Sequence, residues 1–378
     1  MQHNGVSPAS SALDGVSRDT RIIVGVSGGV DSAVALSLIH KAGYPVRALF
    51  MKNWEEDDDG DFCAAAADLE DAERVCEQLR VELKTVNLSA EYWDKVFLEF
   101  LDSCRDGHTP NPDVLCNREI KFRAFLDFAT DLGAGLIATG HYAQTQYRDG
   151  RYRLLKGADP EKDQSYFLCL LDQTQLAQAV FPLGTFLKTS VREMASRFGL
   201  HNHARKDSTG ICFIGERPFR QFLSRYLPPK PGPVVTEKGG EIGNHDGLMY
   251  YTIGQRRGLG IGGSARGTGE PWYVAAKCFE ENALVVVQGR QHPKLYTRAL
   301  AAANPHWIAG EPSMLPLRCH AKVRYRQPDQ PCSVERRING DLLVRFDRPQ
   351  WGVAPGQTVV FYTGNECLGG ATIDSALE

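Results

Sequence analysis

Three short segments carry residue types that could do chemistry together: Ser27-Gly28-Gly29-Val30-Asp31-Ser32, Asn111-Pro112-Asp113 with Cys116-Asn117 close behind, and Asp207-Ser208-Thr209-Gly210-Ile211-Cys212. The first lies between an apolar run, Ile22-Ile23-Val24-Gly25-Val26, and a helical pattern. Strand, glycine-rich loop and helix in that order aim backbone N–H groups and the positive end of a helix at one anion-sized space. The loop has neither the Gly-Lys-Ser/Thr ending of a Walker loop nor the GxGxxG of a dinucleotide fold, so another kind of phosphate site is expected. Asp31 or Ser32 is expected to cap the helix. In the second segment a proline-fixed turn presents a carboxyl, Asp113, and a thiol, Cys116, just before a helix expected over residues 117–132. A thiol at a helix N-terminus is biased toward thiolate, its nucleophilic form. In the third, Cys212 follows a Thr-Gly step whose mobility would let a thiol be loaded at one place and discharged at another.

The elements that must position these segments follow from periodicity. Residues 21–141 alternate apolar strand-like runs (22–26, 45–51, 83–88, 136–139) with helical patterns (31–41, 63–80 and one capped by Ser89), the order of a parallel sheet with crossover helices. An Asp149-Gly150 hairpin follows, then helical and loop segments to about residue 227. Pro228-Pro229-Lys230-Pro231-Gly232-Pro233 breaks the pattern and reads as a linker. Beyond it, short β-rich runs predict a small β domain and then a β-barrel. The expected fold is therefore α/β: a disordered tail over 1–20, a catalytic domain over 21–227, a small β-rich domain over 228–290 and a β-barrel over 291–378.

Composition excludes other classes. Hydrophobic residues at 42% and charged residues at 24% are those of an ordinary globular protein, and no apolar run approaches the ~18 residues of a membrane span. The first 20 residues lack the apolar segment of a secretory signal. Ten cysteines without such a signal point to a reducing compartment, the cytoplasm, and none forms a CxxC pair, so a zinc ribbon or CxxC-held cluster has no support and no protein-held metal is expected. Cys63, Cys76, Cys104, Cys169, Cys278, Cys319, Cys332 and Cys367 read as small buried hydrophobes. The net charge of −3 averages an acidic run over residues 55–61 with basic stretches. Arg318, His320, Lys322, Arg324, Tyr325 and Arg326 alternate so that one strand face would offer cations to phosphates, and Arg205, Lys206, Arg217, Arg220 and Arg225 form a second stretch.

Six motifs occur together: Gly25-Val26-Ser27-Gly28-Gly29-Val30-Asp31-Ser32, Phe50-Met51-Lys52-Asn53-Trp54, Asn111-Pro112-Asp113 with Cys116-Asn117, Ala138-Thr139-Gly140-His141-Tyr142, Lys162-Asp163-Gln164-Ser165-Tyr166 and Ser208-Thr209-Gly210-Ile211-Cys212-Phe213. The loop resembles the pyrophosphate (PP) loop of ATP pyrophosphatases, and the set in this order, from about Arg21 to the C-terminus, resembles the tRNA-specific 2-thiouridylases. The resemblance implies a PP-loop domain like those of adenine-nucleotide hydrolases and a tRNA-binding C-terminal barrel. It also implies the reaction: ATP, with Mg2+, adenylates the C2 oxygen of the wobble uridine, and sulfur arrives as a persulfide from an upstream donor protein. By motif, Cys212 holds the persulfide, Cys116 is the second cysteine nucleophile and Asp113 a general acid/base. Gly25 to Ser32, Met51 and Gly140 would line the ATP site. Asn111, Pro112 and Asp113 would face the target base, and His141, Lys162, Asp163, Gln164, Arg324, Tyr325 and Gln357 would touch tRNA. His141 also reads as a structural strand-end histidine. A small-molecule ATP pyrophosphatase shares the loop but needs neither the cysteine pair nor the barrel. A non-catalytic RNA-binding protein would need neither the loop nor the cysteines.

Overall fold

The computed structural model describes residues 12–55, 64–207, 219–261 and 268–377. Cys63, most of the acidic run, Arg217 and the whole Ser208–Phe213 motif with Cys212 lie outside the described residues.

A five-stranded parallel sheet has the order β3-β2-β1-β4-β7, formed by Ile22–Val26 (β1), Val46–Lys52 (β2), Leu83–Asn87 (β3), Leu136–Ala138 (β4) and Ala179–Val180 (β7). All five residues of β1 are buried, because helices cover both faces. Side chains alternate between the two layers. Ile22, Val24 and Val26 join Val34, Val75 and Val191 in one apolar cluster, contributed by Val30–Lys41 (α1), Ala64–Leu79 (α2) and Lys188–Arg197 (α8). Ile23 joins Phe122, Phe125 and Ala129 on the other side. The two-residue β7 has too little sequence to carry a strand signal and was not expected. The order of strands reverses direction between β1 and β4, so a crevice opens at their carboxyl ends.

The helical run over Ser89–Tyr92 (α3) and Leu98–Arg105 (α4) is joined by π-type turns. Its cap is Leu88 rather than Ser89, whose hydroxyl instead donates to Glu55 at 3.0 Å. A second run starts a turn earlier than expected, at Pro112: Pro112–Leu115 (α5) continues through π-type turns over Cys116–Ala124 into Phe125–Asp131 (α6). Proline is suited to that first position because its missing N–H has no intrahelical partner anyway. Gln173–Ala177 (α7) begins at a reciprocal capping box between Asp172 and Gln175, and Phe219–Leu223 (α9) leads toward the proline-rich linker. The disordered tail is corrected in its described part: Leu13 is buried, Val16 accepts the Tyr44 hydroxyl at 3.3 Å, and Arg18 lies over the Tyr44 ring.

The hairpin of Ala143–Arg148 (β5) and Arg151–Lys156 (β6) turns at Asp149 and Gly150, both at positive φ (54° and 76°). Past the linker, Gly232–Thr236 (β8), Glu241–His245 (β9), Trp272–Cys278 (β10) and Ala283–Gln288 (β11) form a small sheet in the order β10-β11-β8-β9. Tyr296–Trp307 (β12), Leu317–Lys322 (β13), Gln330–Arg336 (β14), Leu342–Trp351 (β15), Thr358–Thr363 (β16) and Glu366–Leu377 (β17) pair in the order β12-β15-β14-β13-β16-β17, and β12 also pairs with β17. That last pairing closes a six-stranded barrel, which removes its edges. The β5–β6 hairpin is hydrogen-bonded to the barrel through β6 and β17, with Leu154 opposite Cys367.

Candidate active site

At the carboxyl end of β1 the loop is knitted by its own side chains. The Ser32 hydroxyl accepts from the Ser27 N–H (3.1 Å), donates to the Gly29 carbonyl (3.1 Å) and lies 3.2 Å from the Ser27 hydroxyl. The helix cap is Gly29, in extended conformation, and no side chain caps it; the expected capping by Asp31 or Ser32 is therefore replaced by this internal bonding. Gly28 sits at φ +70°, and a Cβ there would fall inside contact distance of the Asp68 carbonyl. The Gly28 carbonyl accepts from Asn202 (2.8 Å) and Arg205 (3.4 Å), the latter also paired with Asp68 and Asp71. From β4, Gly140 is pressed on the start of α1, where a Cβ would lie 2.8 Å from the Ser32 nitrogen. Behind the loop, a Cβ on Gly25 would lie 3.5 Å from Phe125 and 3.7 Å from the Met51 methyl, so the run that carries Cys116 packs on the loop's own strand.

Asp31 faces a charged cluster. Its Oδ1 accepts from the Tyr142 hydroxyl (2.8 Å) and Lys188 Nζ (2.7 Å), and its Oδ2 from the same Nζ (2.8 Å). Lys188 also pairs with Asp207 (2.8 Å), which in turn holds Lys162 (2.5 Å) and Arg192 (2.7 Å). Burial works to raise the Asp207 carboxyl, but its bonds to Lys162 and Lys188 prevail and bring its pKa down to about 2. Burial and the Asp31 charge both push the Tyr142 phenol up, so it remains a neutral donor.

Asp113 lies in the first turn of α5, with Cys116 three residues on and so on the same helical face. Cys116 is fully buried, and it lies inside the run rather than before it. The helix-end argument for its thiolate is thereby overturned, since the N-terminal N–H groups belong to residues around Pro112. Asn117 donates to the Asp113 carbonyl (2.9 Å). The turn leading to Pro112 is held from outside the domain. Lys277 donates to the Gly107 carbonyl (2.8 Å), the Thr252 hydroxyl bonds that of Thr109, the Thr109 N–H donates to the Pro355 carbonyl (2.8 Å), and the Gln357 amide reaches the carbonyls of Thr109 (2.7 Å) and Pro110 (3.4 Å).

Known proteins match this chain over most of its length. Residues 20–216 match the family described as tRNA methyl transferase HUP domain, 220–288 the tRNA methyl transferase PRC-barrel domain and 297–373 the aminomethyltransferase beta-barrel domain. The protein named tRNA-specific 2-thiouridylase MnmA from Burkholderia pseudomallei (strain 668) is 56% identical over 359 residues, 94% of each chain. Those of the same name from Alkaliphilus oremlandii (strain OhILAs) and Shigella flexneri are 54% and 56% identical, over 96% and 94% of this chain and 99% and 97% of theirs. The chain belongs to the tRNA-specific 2-thiouridylase family. Its fold is that of the family: a parallel PP-loop domain, a small PRC-barrel domain and a closed C-terminal barrel.

For a 2-thiouridylase, the residues expected at the nucleotide are brought together and several expected at tRNA are occupied elsewhere. His141 is buried between Phe122 and Phe181 with its Nδ1 2.7 Å from the Thr139 hydroxyl, and burial, then Lys121, holds its pKa well below the usual value, which fits the strand-end alternative. Asp163 is buried and accepts from the Gly157 and Ser165 N–H groups (both 3.1 Å), while Gln164 exchanges bonds with the Tyr142 backbone. Lys162 is drawn to Asp207. Arg324, expected at a phosphate, donates to the carbonyls of Ile253 (2.8 Å) and Gly352 (2.7 Å), and its guanidinium lies over Trp351. Tyr325 packs on Phe167, centroids 4.4 Å apart. The expected cationic strand face is corrected too: β13 ends at Lys322, Lys322 is buried beside Asp163 and Asp329, and Arg318 forms two 2.9 Å bonds to Asp347. Of the second basic stretch, Arg205 and Arg220 are paired with acids. The cysteines read as small hydrophobes are buried wherever described, except Cys278, which is half-buried.

Sequence reasoning missed Lys188, Tyr142 as a donor to Asp31, Asn202 and Asp159. One signal was present: Lys188 is a cation in the first turn of a helix, where the macrodipole disfavours it.

Proposed function

We infer that this chain carries out the family's reaction, ATP-dependent 2-thiolation of a tRNA uridine, as a sulfurtransferase that releases pyrophosphate and AMP. The observation that carries this reading is the closed loop over Gly25–Ser32, pressed on by Gly140 and backed by the Cys116 run, in a chain at least 54% identical to the relatives quoted above. The loop N–H groups would hold the polyphosphate while the C2 oxygen of the wobble uridine attacks the α-phosphorus and pyrophosphate departs. Adenylation turns a poor leaving oxygen into a good one. The outer sulfur of a persulfide on Cys212, loaded by an upstream donor protein, then adds to C2 and AMP leaves. Attack by the Cys116 thiolate on the inner sulfur leaves sulfur on the ring and a Cys116–Cys212 disulfide, which a thiol reductant returns to two thiols. Asp113, on the same face as Cys116, is placed to accept or return the proton.

Among the described residues no group of three or more His, Cys, Asp or Glu could hold a metal ion. The magnesium of this reaction would come in on the triphosphate, with the Asp31 carboxylate beside it, and supply charge neutralisation there. No described helix is long and apolar enough to cross a membrane, and a chemistry that cycles two free thiols suits the reducing cytoplasm. The division at residues 21–227, 228–290 and 291–378 is supported by the three sheets, with the β5–β6 hairpin joining the first part to the last. The test is labelled sulfur. Cys212→Ser should lose sulfur acceptance yet still form AMP with tRNA, and Cys116→Ser should accept sulfur on Cys212 without passing it on. A Cys212→Ser enzyme that thiolates tRNA from a persulfide donor overturns the scheme.

A further inference from the structure

A phosphate loop without a Walker lysine must find its cation elsewhere, and the described structure offers a candidate from 157 residues away. Lys188 is buried at the first position of α8, behind an N-cap residue, Leu187, that makes no side-chain bond. Both features oppose a positive charge: burial removes its water, and the helix end repels it. Carboxylates offset this. Asp159 accepts the Lys188 backbone N–H (2.8 Å) and so replaces the missing cap, while Asp31 takes the ammonium on both oxygens and Asp207 takes it at 2.8 Å. The three cations Lys162, Lys188 and Arg192 meet the three carboxylates Asp31, Asp159 and Asp207, so the group is balanced, with the Lys188 ammonium shared between Asp31 and Asp207. Because Asp31 belongs to the phosphate loop itself, the ammonium bonded to both of its oxygens lies beside the loop, within a side-chain rotation of an anion held there.

We propose that Lys188 is the phosphate-site cation of this enzyme, orienting Asp31 and lending its charge to the β- and γ-phosphates of ATP. This rests on the reading that the loop binds ATP. Tyr142, whose hydroxyl also bonds Asp31, keeps the carboxylate aimed at the loop when the ammonium turns toward the nucleotide.

The test is nucleotide binding to the full-length chain, by calorimetry with ATP and with AMP and without tRNA, so that it is read independently of thiolation. Lys188→Met should weaken ATP about tenfold to a hundredfold, the range for a hydrogen bond to a charged group, and leave AMP unchanged. Lys188→Arg should recover part of the loss. Asp207→Asn, which keeps the lysine and removes a competing acid, should bind ATP at least as tightly as the parent chain and covers the case in which Lys188→Met does not fold. Equal loss of ATP and AMP in Lys188→Met, unchanged ATP binding in it, or weakened ATP binding in Asp207→Asn overturns the proposal. A parent chain that binds ATP but never releases AMP with tRNA would instead fail the functional reading.

Discussion

The phosphate loop and the turn before Cys116 are held in opposite ways. The loop closes on itself: Ser27, Gly29 and Ser32 bond one another within five residues, and Gly28 supplies the positive φ locally. The turn over residues 107–111 makes its defining bonds to the small β domain and the barrel, as far as 248 residues along the chain. A site held by its own backbone tolerates movement of the other domains, whereas a site held by them responds to it. Under the proposed function the loop would be a preformed nucleotide end, and the end that would admit a tRNA base is positioned by the parts that would meet the tRNA.

Variants can break or sharpen this contrast. The largest effect is expected in the loop: Gly28→Ala, strained at φ +70° and crowded by Asp68, and Asp31→Ala should each cut AMP formation by about 100-fold or more while a tRNA gel shift persists. Full AMP formation in both would remove the loop from the mechanism. Next comes the outside hold on the turn. Burial draws the Lys277 ammonium down to about 8 from 10.5. Between those pH values the unfolded chain carries a proton that the folded chain has released, so stability rises with pH across that window. Relative to Lys277→Met, the parent chain should gain on the order of 3 kcal/mol from pH 8 to 10.5 in denaturant titrations. A pH-independent difference would mean that the amine is not buried at the turn.

Smaller effects follow at the barrel. Arg324→Met should cost about 2 kcal/mol of stability by stranding the carbonyls of Ile253 and Gly352, with the salt dependence of tRNA binding unchanged. A flattened salt slope would return this arginine to a phosphate. The smallest is Gln357→Ala, expected to cost about 1 kcal/mol and to lower thiolation several-fold with the KM for ATP unchanged. A raised KM for ATP would show that the two ends are coupled and erase the contrast.

The contrast also explains which expectations carried through. Strands 22–26 and 83–88, the Asp149-Gly150 hairpin and the loop were legible because each is written in adjacent residues whose conformational limits act locally. The basic run from Arg318 to Arg326 misled because alternation says which way a side chain points but not what waits there. Asp347 meets Arg318, Asp163 and Asp329 meet Lys322, and backbone carbonyls meet Arg324. Cys116 misled by one turn, since the proline that reads as a break serves as the first residue of the helix.

By itself the sequence determined the α/β character, the place and type of the phosphate loop, and the family, because these depend on short segments and on their order along the chain. Only the tertiary structure decided that Asp31 answers to Lys188 and Tyr142, that Gly140 presses on the loop, and that the barrel grips the turn before Cys116. The reason is physical: a charge or a carbonyl chooses its partner by proximity in the folded chain and by the cost of leaving it buried alone, and neither quantity exists until distant segments have packed.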